Sequence, residues 1–282
     1  MPLTLPTQLK VANQNISDYP FIFTGGKTTG KTSLAAQYPN HFIAEFEVGN
    51  ARHITGNWED IHNWEEFISI VNLLESNPTY CKTFILDGIN TLDYYALLAS
   101  RKYFKMDEVE EISEKDRYAF WGYKKLLIKK TLQRIRALPI TLGFTAHTEV
   151  TTVVDLKGRN ISKLQTNITG QMKEIFDEMN IAVWGVLHRG TDNQVLMQIV
   201  EDSFVMANHK LSSHFRWNGY QIKIIPLGFT PEEGFRNFNL AFNNQLQVPD
   251  QYLIKINQQA VQPISQPISN GSPKLTLSIK KG

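Results

Sequence analysis

Cysteine is almost absent: Cys81 stands alone in a chain of 282 residues. A lone thiol excludes an internal disulfide framework and any zinc ribbon, and it fits a reducing compartment such as the cytoplasm. Long hydrophobic runs are missing as well. No stretch approaches the roughly 18 apolar residues that a membrane-spanning helix needs. The opening Met1-Pro2-Leu3-Thr4-Leu5-Pro6 has no basic flank and no apolar run, so no signal peptide is expected. Charge of one sign is scarce, with 29 Lys and Arg against 27 Asp and Glu for a net +2. A nucleic-acid partner would have to be met by a local basic patch, not by a global field. What remains, 42 % hydrophobic and 20 % charged residues, is ordinary globular composition, in a chain long enough for one large α/β domain or two small ones.

The most informative stretch is Phe21–Ser33. A short apolar strand, Phe21-Ile22-Phe23, runs through Thr24 into Gly25-Gly26-Lys27-Thr28-Thr29-Gly30-Lys31-Thr32-Ser33, and Leu34, Ala35 and Ala36 continue as a helix. Glycine at 25 and 30, followed by Lys31 and Thr32 between a strand and a helix, is the pattern of a loop that wraps phosphate. The glycines let backbone N–H groups curl round phosphate oxygens, and the helix adds the positive end of its dipole. Lys31 is expected at the β- and γ-phosphates and the Thr32 hydroxyl on Mg²⁺, which makes Gly25–Ser33 the candidate ATP-binding segment.

The periodicity along the chain alternates strands and helices. A strand is expected over His41–Val48, with Glu45 and Glu47 on one side of it by the two-residue period. The apolar spacing of Ile61, Trp64, Phe67, Ile68, Val71 and Leu74 predicts a helix over Trp58–Ser76. Thr83–Asp87 reads as a buried parallel strand tipped by a carboxylate. Helices are expected over Leu92–Phe104 and Lys115–Ala137, with a solvated acidic run, Asp107–Glu114, between them. Ile140–Ala146 is the next core strand and is expected to end at His147. Thr148–Thr166 reads as a polar loop whose middle forms a hairpin around Lys157-Gly158. A helix over Ile168–Met179 and strands over Ile181–Leu187 and Val195–Val200 complete the core. Together these predict a mostly parallel central sheet with helices on both faces. The expected divisions are a lead-in at 1–19, the core at 20–225 and an extension at 226–253. A Gln-, Pro- and Ser-rich tail at 254–282 is expected to be disordered or to order on a partner.

Ligands of such sheets gather at the carboxyl ends of the strands, and Thr24, Glu47, Asp87 and His147 all fall there. Asp87 is expected to hold Mg²⁺ through water while Thr32 binds it directly. Gly88 follows it, so no acid stands at the next position to activate water. Glu47 is the candidate base, with Glu45 in reserve. His147 is placed to donate to a γ-phosphate and to report its loss to the segment that follows.

These pieces resemble the RecA superfamily of ATPases and are similar, more closely, to the small RecA-like, phage-encoded ATPases grouped with single-strand annealing proteins. The resemblance rests on Gly25–Ser33, Glu45-Phe46-Glu47, Trp64–Asp87, Phe144-Thr145-Ala146-His147 and Phe176-Asp177-Glu178, and covers residues 20–210. It implies a RecA-like core with Lys31, Thr32 and Asp87 on ATP and Mg²⁺, Glu47 as catalytic carboxylate and His147 as γ-phosphate sensor. It also implies self-association into a filament or ring, with single-stranded DNA along two loops. Thr148–Thr166 corresponds to the second loop, with Lys157, Arg159 and Lys163 on DNA phosphates, and the segment near Arg101–Trp121 contains the first. The family's Lys-x-Arg pair that reaches a neighbour's γ-phosphate is represented by Lys210 without its Arg. A cytoplasmic protein of a phage or prophage is implied, with a single-strand-binding or replication protein as a possible partner of the tail and no membrane.

Two other classes stay open on the residues alone. A nucleotide-gated interaction protein with little hydrolysis fits the missing Arg and the aromatic-free 148–166 segment. A small-molecule kinase would need an Arg-rich lid, for which Arg159 is thin material.

Overall fold

The structure, a computed structural model, describes residues 13–106, 114–154 and 157–255. The acidic run expected over Asp107–Glu114 falls outside them up to residue 113, as do residues 1–12 of the lead-in and the tail from 256 onward.

In chain order, β1 (Phe21–Gly25) leads into α1 (Lys31–Ala35), and β2 (His41–Glu45), β3 (Asn57–Asp60) and α2 (Trp64–Ser76) follow. Next come β4 (Thr83–Asp87), α3 (Ile89–Phe104), α4 (Glu114–Arg136) and the long β5 (Thr141–Val154). After them stand β6 (Asn160–Thr166), α5 (Gly170–Met179), β7 (Val183–Arg189) and β8 (Val195–Gln198). The last part holds β9 (Asn208–His209), β10 (Arg216–Trp217), β11 (Tyr220–Ile222), β12 (Ile224–Gly228), α6 (Pro231–Phe242) and β13 (Leu253–Ile254).

Strands β7, β1, β5, β4, β2 and β3 lie side by side in that order and all run parallel. Beyond β7, β8 and then β12 add antiparallel. The strands are apolar on both sides because helices cover both faces. Ile22, Phe84, Leu86 and Phe144 point into one layer with α2, α3, α4 and α5. Phe21, Phe23, Ile43 and Ile85 point into the other, against α1 and α6. Among the described residues no helix is long and apolar enough to cross a membrane.

Four expectations change. The helix expected from Trp58 begins at Trp64, because Asn57–Asp60 pairs with β2 as the sheet's edge strand. Asn63 then caps α2, its Oδ1 accepting the Glu66 N–H at 2.8 Å while its own amide donates to the Glu66 carboxylate at 2.9 Å. The strand expected over His41–Val48 stops at Glu45. The strand expected to end at His147 continues to Val154, pairing antiparallel with β6 from Thr148↔Thr166 to Val154↔Asn160. The 148–166 segment is thus a two-stranded arm, with the expected hairpin turn at Lys157-Gly158. Finally, residues 226–253, expected as an extension, belong to the core. Phe238, Ala241 and Phe242 are buried in the same cluster as Phe21 and Phe23, and the Phe23 and Phe238 rings meet edge to face at 5.7 Å.

Truncating a fully buried ring leaves a cavity that a packed core does not refill. Phe238→Ala is expected to lower the free energy of unfolding by about 3–5 kcal/mol, read by urea denaturation, with an unchanged fold by circular dichroism.

Candidate active site

Register brings the strand ends together. Gly25 at the end of β1 lies opposite His147 on one side and Leu187 on the other, and Asp87 at the end of β4 lies opposite Thr145 and Glu45. Because β5 stands between β1 and β4, its residues 145–147 face the gap between the Gly25–Ser33 loop and Asp87.

Within the loop, Lys31 is buried and its Nζ donates to the Gly25 and Gly26 carbonyls at 3.2 and 2.9 Å. Burial lowers the ammonium's pKa, and the charges of Asp87 and Glu47 oppose that shift. The Thr29 hydroxyl donates to the Gly26 carbonyl at 3.0 Å and steadies the turn.

Asp87 is the site's anchor. Its Oδ1 accepts from the Thr32 hydroxyl at 2.9 Å and from the Thr145 hydroxyl, which itself accepts the Gly88 N–H at 3.1 Å. Burial raises the carboxyl's pKa against those hydrogen bonds. Its other oxygen, Oδ2, is buried and makes no hydrogen bond. Leaving such an oxygen unpaired is costly, and a divalent cation beside Thr32 Oγ1 would satisfy it. These donors are the hard oxygens that Mg²⁺ takes, with the remaining ligands coming from phosphate and water. The group expected from the sequence therefore fits.

The structure separates the two glutamates that the two-residue period put on one side. The strand ends at Glu45, which is fully buried with Oε1 accepting the Ala51 N–H at 2.9 Å. Its carboxyl is pushed up to about 7, first by burial and further by Asp60 across the β2–β3 pair. Glu47 lies past the strand and reaches the cleft, where its Oε2 meets His147 Nε2 at 3.0 Å and accepts from Asn50 Nδ2 at 3.0 Å. A carboxylate offers only lone pairs, so Nε2 carries the proton. Gly88 makes this possible. Its φ is +88°, and a Cβ there would stand 2.7 Å from Glu47 Cγ. A side chain at position 88 would collide with Glu47 as it is placed.

The cleft that holds these groups has a volume of about 910 Å³ and runs from Glu47 and His147, past Lys27–Ser33, to Leu187, Arg189 and Phe229. Arg189 and Phe229 are among the members that no sequence motif marks. Arg189 Nη2 donates to the Thr28 carbonyl at 3.2 Å; its only sequence signal was its place at the end of an apolar strand. Phe229 comes from a stretch that reads poorly by periodicity. His53 also borders the loop, with Nε2 3.2 Å from Ser33 Oγ.

The other candidate residues lie elsewhere. Lys157 and Arg159 are exposed at the end of the β5–β6 arm. Lys163 is turned inward onto Glu201 with its side chain only 14 % exposed, so its ammonium is already paired within the protein. Lys210 sits at the amino end of β7, beside the start of β1 and so at the opposite end of the strands from Lys31, its N–H on Ala182 and its Nζ on Asn180 Oδ1 at 3.0 Å.

Glu45 gives a pH test. A carboxyl raised in the folded state binds its proton more tightly there than in the unfolded chain, so its contribution to stability is present at low pH and is lost as pH rises toward about 7. Glu45→Gln is therefore expected to gain stability relative to wild type between about pH 5 and pH 8, measured as the difference in urea midpoints at the two ends. A difference that does not change with pH would contradict it.

No curated protein matches the chain. A family described as AAA domain matches residues 17–194, well over half of the sequence, from the lead into β1 to the end of the β7–β8 turn. With its phosphate-wrapping loop at the first βα junction of a mostly parallel sheet, the chain belongs to the AAA domain family of P-loop NTPases.

Proposed function

We propose that the protein is a Mg-ATP-dependent, RecA-like ATPase that binds single-stranded DNA and assists recombination or strand annealing in phage replication. The observation that carries the reading is the 3.0 Å contact between Glu47 and His147. It ties the candidate base to a strand that runs without a break into the exposed arm.

Lys31 exchanges its two carbonyl partners for the β- and γ-phosphate oxygens, a charge-assisted contact stronger than the one it leaves. Thr32 and Asp87 hold Mg²⁺, whose charge neutralises that developing on the phosphates. Glu47, aimed by Asn50 and His147, takes a proton from the attacking water. His147 answers to both Glu47 and the γ-phosphate position, so loss of that phosphate changes what holds β5 just where it leaves the parallel sheet. On the arm, Lys157 and Arg159 serve DNA phosphates. The missing aromatic stack is supported from α3 and α4, where Tyr94, Tyr103 and Tyr118 are exposed and Asn90 donates to the Asn167 carbonyl at the foot of the arm. Aromatic faces of this kind bind single strands with little sequence preference.

A head-to-tail stack of protomers would bring Lys210, at the amino ends of the strands, to the next protomer's cleft at the carboxyl ends. The tail at 254–282 is the proposed contact for a single-strand-binding or replication protein. A nucleotide gate with slow turnover is the second reading, favoured by the hold of Asn180 on Lys210.

ATPase rates with and without single-stranded DNA separate the two. Stimulation by DNA, an ATP-dependent gel shift, and a Glu47→Gln protein that still binds ATP while turnover falls about 10²–10⁴-fold support the ATPase. Lys31→Ala is expected to lose ATP binding. Unchanged turnover in Glu47→Gln, or no response to DNA, would refute it.

A further inference from the structure

The cleft changes character along its length. One end, under β4, β5 and β1, is lined by Lys31, Thr32, Glu47 and His147; the other, past β7 and β8 to β12, is lined by Leu187, Val195, Leu227 and Phe229. From β5 to β12 is four strand spacings, about 19 Å. A ligand that is polyanionic at one end and flat and apolar at the other matches this gradient.

Phe229 is the unusual member. It is 64 % exposed, belongs to neither hydrophobic cluster, and yet stands on tightly determined backbone. Gly228 before it has φ +96°, with the Glu233 carboxyl packed over the space a side chain would fill. The Phe229 N–H donates to Glu233 Oε2 at 2.9 Å, the Glu233 N–H donates to Thr230 Oγ1 at 3.2 Å, and Pro231 opens α6. The N-cap bond at Thr230 and the Glu233 carboxylate's hold on the Phe229 N–H fix the chain's entry into the helix, so the ring is carried on a tightly held backbone. Beside it, the Arg189 guanidinium bonds the Thr28 carbonyl of the phosphate loop and the Asn193 carbonyl of the β7–β8 turn at 3.2 and 2.9 Å. Its plane is thereby held to the same end of the cleft. A large apolar ring left in water on a preformed backbone is poised to bury its face on a ligand at little entropic cost.

We propose that Phe229 is the residue on which the base of the bound nucleotide stacks, with Arg189 closing that end of the cleft. This deepens the nucleotide reading above and rests on it. Stacking uses the π-face that every base has, so ATP and GTP bind with similar affinity.

The test is equilibrium binding of MgATP, MgGTP and inorganic tripolyphosphate to wild type, Phe229→Ala and Phe229→Trp, with thermal unfolding of each variant without ligand. Expected are a loss of about tenfold for both nucleotides in Phe229→Ala, unchanged tripolyphosphate affinity, recovery in Phe229→Trp, and unchanged unfolding of the free proteins. Undiminished nucleotide affinity in Phe229→Ala, or an equal loss for tripolyphosphate, overturns the proposal while leaving the nucleotide reading intact. Failure of the wild type to bind nucleotide or tripolyphosphate overturns both.

Discussion

One carboxylate oxygen, Oδ1 of Asp87, takes hydrogen bonds from Thr32 on the phosphate loop and Thr145 on β5, and through it three strand ends are set against each other. Each partner belongs to a different βα unit, so moving any one of them leaves a buried polar group unpaired, which costs more than the bond contributes. The unpaired Oδ2 beside it is the exception. A buried polar atom without a partner is costly, and this one belongs to the carboxylate that the Thr32 hydroxyl bonds. The same arrangement explains the buried Lys31, whose charge is balanced by Asp87 and Glu47 but whose hydrogen bonds go to loop carbonyls.

The strand order follows from what each face must bury. With β5 between β1 and β4, the residues of β5 nearest the nucleotide cleft are flanked by the loop on one side and Asp87 on the other. Past His147, β5 has no parallel neighbour and pairs with β6 instead. One continuous strand is therefore part of the core at one end and solvent-facing at the other. The ties from Asn90 to Asn167 and from Gln171 Nε2 to the Trp121 carbonyl at 3.0 Å bind α3, α4 and α5 to the foot of that arm.

At the far side of the sheet, β12 and α6 do two things together. Phe238 and Phe242 complete the second core layer, and the N-cap bond at Thr230 with the Glu233 carboxylate's hold on the Phe229 N–H sets the end of the cleft. The part of the chain that seals the core thus also shapes the site.

Local chemistry determined much of this from the sequence. The loop at Gly25–Ser33, the carboxylate ending Thr83–Asp87, the two-sided apolar strands and the hairpin turn at Lys157-Gly158 are set by residue type and spacing over a few positions, and a linear reading suffices for them. The Asn63-x-x-Glu66 cap was also there to be read, and would have moved the start of α2 away from Trp58. What only the tertiary structure decided involves distance along the chain. Glu45 and Glu47 are two residues apart and chemically alike; one is buried beside Asp60 and the other enters the cleft, because the strand's end is set by pairing with β4 and by the room at Gly88. Lys163 reads as a free basic residue until Glu201, 38 positions later, is folded against it. Arg189 and Phe229 join the cleft only because β7 and β12 lie on the same side of β1, and strand order depends on long-range burial that no local pattern encodes.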